Sequence, residues 1–228
     1  MNLAAFLEGL PRRYYAWGSV APQPLRIREH SALLSVVRGM TAPGNLELLA
    51  WAVACLEEGE CYLETGTWHG ATLIGAIGPN HGAQGWAIDD MSMTGHDAGD
   101  VSPMQQWHHN TRAFGLQDRA LYINGTVPAA YAGLVGIPPV GVFLFDGDKS
   151  TEEAAWEGIE GALPLLARRA LIVLDDSNTP QIRQAAWRLT RAYPSNCAVV
   201  LDIPTPANCY PTFWDGVMCI AWEGDADA

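Results

Sequence analysis

The sequence predicts an α/β protein built on a doubly wound sheet of seven strands, mostly parallel, with an antiparallel hairpin at its C-terminal end. Three observations lead there. From position 61 onward short apolar runs alternate with helical stretches. The runs are continuously apolar rather than alternating, the mark of strands covered on both faces. The last two follow one another with no room for a helix, which forces them antiparallel.

Residues 1–44 mix short helical patterns with Pro11, Pro22 and Pro24, and no sustained period surrounds Arg26 and Arg28. They predict an N-terminal cap or lid set before a main domain over 45–228. From Asn45 to Glu58 the segment LELLAWAVACLEE predicts a buried helix, with Gly59 where a C-cap belongs. Five strand candidates follow: CYLETG at 61–66, GWAIDD at 85–90, ALYING at 120–125, VGVFLFDGD at 140–148 and ALIVLDD at 170–176. Between them lie helix candidates at His69 to Ile77, Met104 to Phe114, Glu152 to Leu166 and Gln181 to Tyr193. Thr179 and Pro180 mark the start of the last as N-cap and N1. CAVVLDI at 197–203 and FWDGVMCIAW at 213–222 form the hairpin.

Composition bounds the function. The 228 residues carry 13 Lys plus Arg against 25 Asp plus Glu, a net charge of −12 with no basic stripe. That balance repels a phosphate backbone and anionic lipid, so neither nucleic acid nor a membrane is expected as partner. The five Cys show no C-x-x-C spacing and read as buried thiols without a metal role. With no signal-like start and no long apolar run, a cytoplasmic protein is expected. A homo-oligomer is left open.

The chemistry-bearing groups gather at the predicted carboxyl ends of strands, where open parallel sheets bind ligands. In LETGTWHGAT, Glu64, Gly66 and Gly70 stand at a strand-to-helix turn, where backbone can approach a ligand. The spacing is not the G-x-G-x-x-G of dinucleotide binders, and the acid suits a ligand bearing an ammonium. Asp89, with Asp90 behind it, ends the next strand and can accept ribose hydroxyls. Asp146 and Asp148 end one strand and Asp175 and Asp176 another, which as neighbours would crowd four carboxylates around a cation. Oxygen ligands suit Mg²⁺. Lys149 beside them is a candidate base. The bland alternatives are that Asp148 or Thr151 caps the following helix and Asp176 the last one. His108 and His109, adjacent on a helix, point apart and are expected to be solvated or half-buried. Trp68, Trp214 and Tyr210 are candidates for an aromatic wall.

From about Cys61 to Trp222 the chain resembles the class I S-adenosylmethionine-dependent methyltransferases, whose Rossmann-like sheet ends in such a hairpin. Within that class it resembles the small metal-dependent O-methyltransferases of the catechol and caffeoyl-CoA types and the sugar O-methyltransferases of antibiotic pathways. LETGTWHG is similar to their E-x-G-x-x-x-G motif, AIDD to the acid holding the cofactor ribose, FDGDKS to D-x-D-K, and LDD to its partner. The resemblance implies an O-methyltransferase acting on a small-molecule hydroxyl with S-adenosylmethionine as cofactor. The cofactor residues it implies are Glu64, Gly66, Thr67, Trp68, His69 and Gly70 in the turn, with Asp89, Asp90, Gly125, Thr126 and Asp146. A divalent metal, Mg²⁺ by preference, would be held by Asp146, Asp175 and Asp176. Two bases compete, Lys149 by the catechol-type pattern and Asp148 by the sugar-type, with Lys149 preferred. The cap and the loop DMSMTGHDAGDVSP match nothing in these families, so the acceptor's identity does not carry over. The alternatives are a metal-dependent hydroxylase-like enzyme, a non-catalytic S-adenosylmethionine-binding protein and a nicotinamide dehydrogenase.

Overall fold

The computed structural model describes residues 1–92 and 101–224, so part of the unusual loop and the acidic tail lie outside the described residues. Seven strands form one sheet: β3 (Cys61–Thr65), β4 (Gly85–Asp89), β5 (Ala120–Asn124), β6 (Val140–Phe145), β7 (Leu166–Asp175), β8 (Cys197–Ile203) and β9 (Val217–Glu223). Their order is β5-β4-β3-β6-β7-β9-β8. The first five are parallel, and β9 runs antiparallel to both β7 and β8. The chain moves outward from β3 through β4 to β5, then returns to place β6 on the other side of β3. The switch point of the sheet therefore lies between β3 and β6; the candidate segments after β3, β4, β6 and β7 sit at or beside it, and Gly125 and Thr126, after β5, lie one strand further out.

Helices cover both faces. On one side lie α3 (Pro43–Ala54), α4 (Ala71–Ile77) and α5 (Pro103–Ala113), packed on Tyr62, Leu144, Leu171 and Val173. On the other lie α6 (Glu152–Glu160) and α7 (Pro180–Ala192), packed on Leu63, Phe143, Phe145 and Ile172. Alternate strand residues feed opposite layers, as the period of a strand requires. Phe143 and Phe145 are fully buried, each contributing about 1.5–3 kcal/mol relative to exposure.

Residues before α3 form α1 (Leu3–Gly9), a two-residue hairpin of β1 (Tyr14–Tyr15) and β2 (Gln23–Pro24), and α2 (Ile27–Val36). Phe6, Leu10, Tyr14, Leu33 and Val37 join the α3 and α4 side of the core. Polar contacts fix the join. Glu47 on α3 accepts from Arg26 Nε at 2.9 Å, and His30 Nε2 lies 2.7 Å from the same oxygen. The Tyr14 hydroxyl donates to the Gly44 carbonyl at 2.8 Å.

Element ends differ from the sequence expectations for local reasons. The helix expected to reach Glu58 stops at Ala54, and Gly59 instead takes the left-handed conformation, φ 84°, in the turn that follows. The helix expected to reach Leu166 stops at Glu160, and a short 3₁₀ turn over Leu163–Leu165 with Pro164 in it leads into β7. Residues 213–216 are a turn rather than strand, with Tyr210 bridged to Trp214 and Gly216 left-handed. Thr151, not Asp148, caps α6, its hydroxyl accepting from the Ala154 N–H. Of the thiols read as buried, Cys209 is exposed and Cys197 half-buried. Both His108 and His109 are exposed. No described helix is long and apolar enough to cross a membrane.

Candidate active site

The turn from β3 into α4 is shaped by glycine. Gly66 has φ 81°, and a Cβ there would stand 2.0 Å from the Asp146 carbonyl oxygen. Gly70 has φ 85° at the N-cap of α4, where a Cβ would press on the Trp107 ring at 3.1 Å. Between them Trp68 also has a positive φ, 43°, which few side-chain-bearing residues adopt. Asp89 holds this turn: its Oδ2 accepts from the Trp68 N–H at 2.8 Å and its Oδ1 from the Met91 N–H at 2.7 Å. A carboxylate oxygen has a second lone pair, so Asp89 can still accept from a ligand hydroxyl.

Above the switch point opens a cavity of about 510 Å³. Seven of the residues assigned to the cofactor line it: Gly66, Trp68, Asp89, Asp90, Gly125, Thr126 and Asp146. Thr67, His69 and Gly70 stand behind the turn. The Thr67 hydroxyl accepts from Trp107 Nε1 at 3.1 Å, the His69 ring stacks on Trp68, and Asn110 Nδ2 donates to the His69 carbonyl at 2.9 Å. These contacts brace the turn from behind.

Glu64 does not face the cavity, so the expectation that it meets a ligand ammonium is corrected. It is fully buried on the α3 and α4 side of β3, where its Oε2 accepts from the Tyr62 hydroxyl at 2.7 Å. Burial pushes its pKa up to about 7, with hydrogen bonds pulling the other way. Thr65, which the sequence reading missed, lines the cavity instead. It is 1 % exposed and its hydroxyl has no partner within the protein. Strand parity was the available signal, since adjacent strand residues point to opposite faces.

At the other end of the cavity stand Asp148, Lys149 and Asp176, with Met40 and Trp214 as apolar walls. Lys149 Nζ donates to Asp146 Oδ1 and to Asp176 Oδ2, both at 2.5 Å. Burial lowers the Lys149 pKa, but the two carboxylates outweigh it and hold the group above the ordinary lysine value. Burial pushes Asp146 up to about 6 against the pull of Lys149, and the Asp176 charge adds to the rise. Asp148 makes no ion pair with Lys149. It accepts from the Ser150 N–H at 2.9 Å, which keeps its carboxyl below the usual range.

The four-carboxylate cluster expected from sequence is not assembled. Asp175, the last residue of β7, is 3 % exposed and turned to the α3 side, where its Oδ1 accepts from Asn45 Nδ2 at 2.9 Å. Burial, with the Asp146 and Asp176 charges, raises its pKa well above the ordinary value. Asp176 follows in the left-handed conformation, φ 51°, and turns its carboxylate back into the cavity. A divalent ion needs several oxygens converging on one point. Here two carboxylates already share an ammonium and the third faces away, and among the described residues no three His, Cys, Asp or Glu converge. The arrangement does not fit the metal that the resemblance implies. It also corrects Lys149 as the preferred base, because an ammonium held by two carboxylates does not readily accept a proton.

A family described as a methyltransferase domain matches residues 63–177, just over half of the chain. No curated protein matches it in sequence. Among solved structures it is similar to the O-methyltransferase TomG from Streptomyces achromogenes, involved in tomaymycin synthesis and solved with S-adenosylmethionine. The TM-score is 0.61 at 15% identity, over 90% of this chain and 92% of that one. It is likewise similar to an O-methyltransferase from Bacillus cereus in complex with S-adenosylhomocysteine, with TM-score 0.55 and 14% identity over 96% and 91% of the two chains. These similarities show the shared fold, and the family match reaches from β3 through the acids after β7. The chain belongs to the methyltransferase domain family and is a class I S-adenosylmethionine-dependent methyltransferase.

Proposed function

We propose that the enzyme methylates a hydroxyl oxygen of a small, uncharged or cationic molecule. The observation that carries this reading is one cavity with two chemically distinct ends: the glycine turn and Asp89 at one, Lys149 and Asp148 at the other. The Gly66 turn, Asp89, Gly125 and Thr126 would hold the nucleoside and its methionine tail, with Asp146 at the junction of the two ends. When bound, S-adenosylmethionine supplies a methyl group on a positively charged sulfur.

The acceptor oxygen would lie against Lys149. Two of the three ammonium protons bind Asp146 and Asp176, which leaves one to donate to that oxygen. Asp148, the carboxylate of this end not paired with Lys149, is the group we assign as proton acceptor. As the oxygen–carbon bond forms and the carbon–sulfur bond breaks, the hydroxyl proton passes to Asp148. Holding the oxygen in line supplies much of the acceleration. No step is assigned to a divalent metal, since the residues as placed do not fit one.

The acceptor class follows from charge. Asp89, Asp90, Asp146, Asp148 and Asp176 line the cavity against the one lining ammonium of Lys149. Arg38, which does not line the cavity, stands over the Trp68 ring, 5.3 Å from its centre. A phosphate or carboxylate acceptor would meet repulsion in the cavity. Trp214 and Met40 offer apolar walls to a ring. We place the enzyme in the cytoplasm, in keeping with five unpaired thiols.

The test uses methyl-labelled S-adenosylmethionine with dopamine, catechol and protocatechuate as a charge series on one ring. Label should appear in an aryl methyl ether, with dopamine and catechol ahead of the anionic protocatechuate. Transfer to nitrogen alone, or no transfer to any hydroxyl while S-adenosylhomocysteine binds, would sink the reading.

A further inference from the structure

Lys149 occupies a point in the cavity where acids from two strand ends meet. Asp146 comes from the end of β6 and Asp176 from just past β7, and the Lys149 nitrogen lies 2.5 Å from an oxygen of each. Both carboxylates are only about a fifth exposed, 22% and 21%, so two bare negative charges there would repel strongly. One ammonium offsets that repulsion, and it is tethered by a loop of four residues, 147–150, to the N-cap of α6 at Thr151.

The neighbouring carboxylates Asp175 and Asp148 each have one oxygen already bonded. Asp175 is bonded to Asn45 on the opposite side of the sheet. Asp148 is bonded to the Ser150 N–H. A divalent ion entering between Asp146 and Asp176 would have to expel Lys149 and would then find two protein carboxylates.

We propose that the Lys149 ammonium is the resident cation of this site, bridging Asp146 and Asp176 in the place a divalent metal would take, so that the enzyme works without one. Lys149 is then a donor that orients the acceptor oxygen, and Asp146 and Asp176 are positioning residues that act through it. The proposal uses the methyl-transfer reading for its consequence, but its test reads cation binding and stands apart from that reading.

The experiment titrates Mn²⁺ into wild type, Lys149→Met and Lys149→Arg and follows the free Mn²⁺ signal by electron paramagnetic resonance. Circular dichroism and S-adenosylhomocysteine binding serve as checks of folding. Lys149→Met should bind Mn²⁺ at least about tenfold more tightly than wild type, because removing the ammonium frees both carboxylates, a difference of about 1.4 kcal/mol. Lys149→Arg keeps the charge and should behave as wild type. Equal affinity in wild type and Lys149→Met, or tighter binding by wild type, overturns the proposal. Should Lys149→Met fail to fold, wild type alone decides: stoichiometric depletion of the signal at micromolar Mn²⁺ overturns it, and an undiminished signal supports it.

Discussion

The two sides of the sheet at its carboxyl end carry the same kinds of residue and use them oppositely. On the cavity side Asp146 and Asp176 are partly exposed and meet an ammonium. On the α3 side Glu64 and Asp175 are buried among Tyr62 and Asn45 and meet neutral hydrogen-bond donors. A buried carboxyl without a counter-ion is favoured in its protonated form, whereas a carboxylate beside an ammonium keeps its charge. One side is therefore suited to chemistry and the other to holding the strands that present it. Asp175 and Asp176, neighbours in sequence, fall on different sides of that division.

The largest effect should come from Gly66, where the sides meet. Gly66→Ala adds a Cβ at 2.0 Å from the Asp146 carbonyl in a left-handed backbone, so the turn cannot keep its shape. Isothermal titration should show S-adenosylhomocysteine binding lost, and denaturant unfolding a loss of at least ~2 kcal/mol. Unchanged binding would detach the turn from the cofactor.

A smaller effect, confined to stability, is expected on the α3 side. Asn45→Ala removes the donor to Asp175 and should cost about 1–3 kcal/mol of folding free energy. Cofactor affinity should stay within about threefold, less than ~0.7 kcal/mol. A larger fall in affinity than in stability would show that Asp175 serves the cavity after all.

Glu64 sharpens the comparison through pH. Its folded pKa of about 7 lies above the ordinary 4.5, so the folded state binds more protons than the unfolded chain in that range. Its contribution to stability is therefore full below pH about 4.5 and is lost as pH rises toward 7. Glu64→Gln, neutral at every pH, should flatten that part of the stability profile in denaturant titrations. An unchanged slope would place the charge elsewhere.

The smallest effect is reserved for Trp214, an apolar wall of the acceptor end held at φ 49°. Trp214→Gly relieves the backbone and removes the wall. KM for a ring-bearing acceptor should rise by about tenfold or less, while cofactor affinity holds. A fall in kcat with KM unchanged would make Trp214 a positioning group instead.

Much of this architecture was legible in the sequence. Continuous apolar runs located each strand of the main sheet, and Thr179 with Pro180 located the start of α7. The missing helix between the last two runs foretold their antiparallel pairing. Strand and helix ends were less legible, because Pro164 and the turn at Gly216 stop elements that the apolar pattern would have continued. At the site, residues that must be glycine or must end a strand could be read directly, as Gly66 and Asp89 show. Side-chain direction could not be read from adjacency. Asp175 and Asp176 look like one pair of ligands in the string LDD, but strand parity sends one to Asn45, and a left-handed residue returns the other to Lys149. Parity would also have favoured Thr65 over Glu64 as the residue facing the cavity.

The most direct test sets Asp175→Asn beside Asp176→Asn in one methyl-transfer assay and one unfolding experiment. Asp176→Asn should lower kcat by about tenfold or more, equivalent to ~1.4 kcal/mol, with S-adenosylhomocysteine binding retained. Asp175→Asn, whose carboxyl faces Asn45, should leave kcat within about threefold and show its effect in stability. Equal loss of turnover in the two variants, or a greater loss in Asp175→Asn, would contradict the division of labour between the two sides of the sheet.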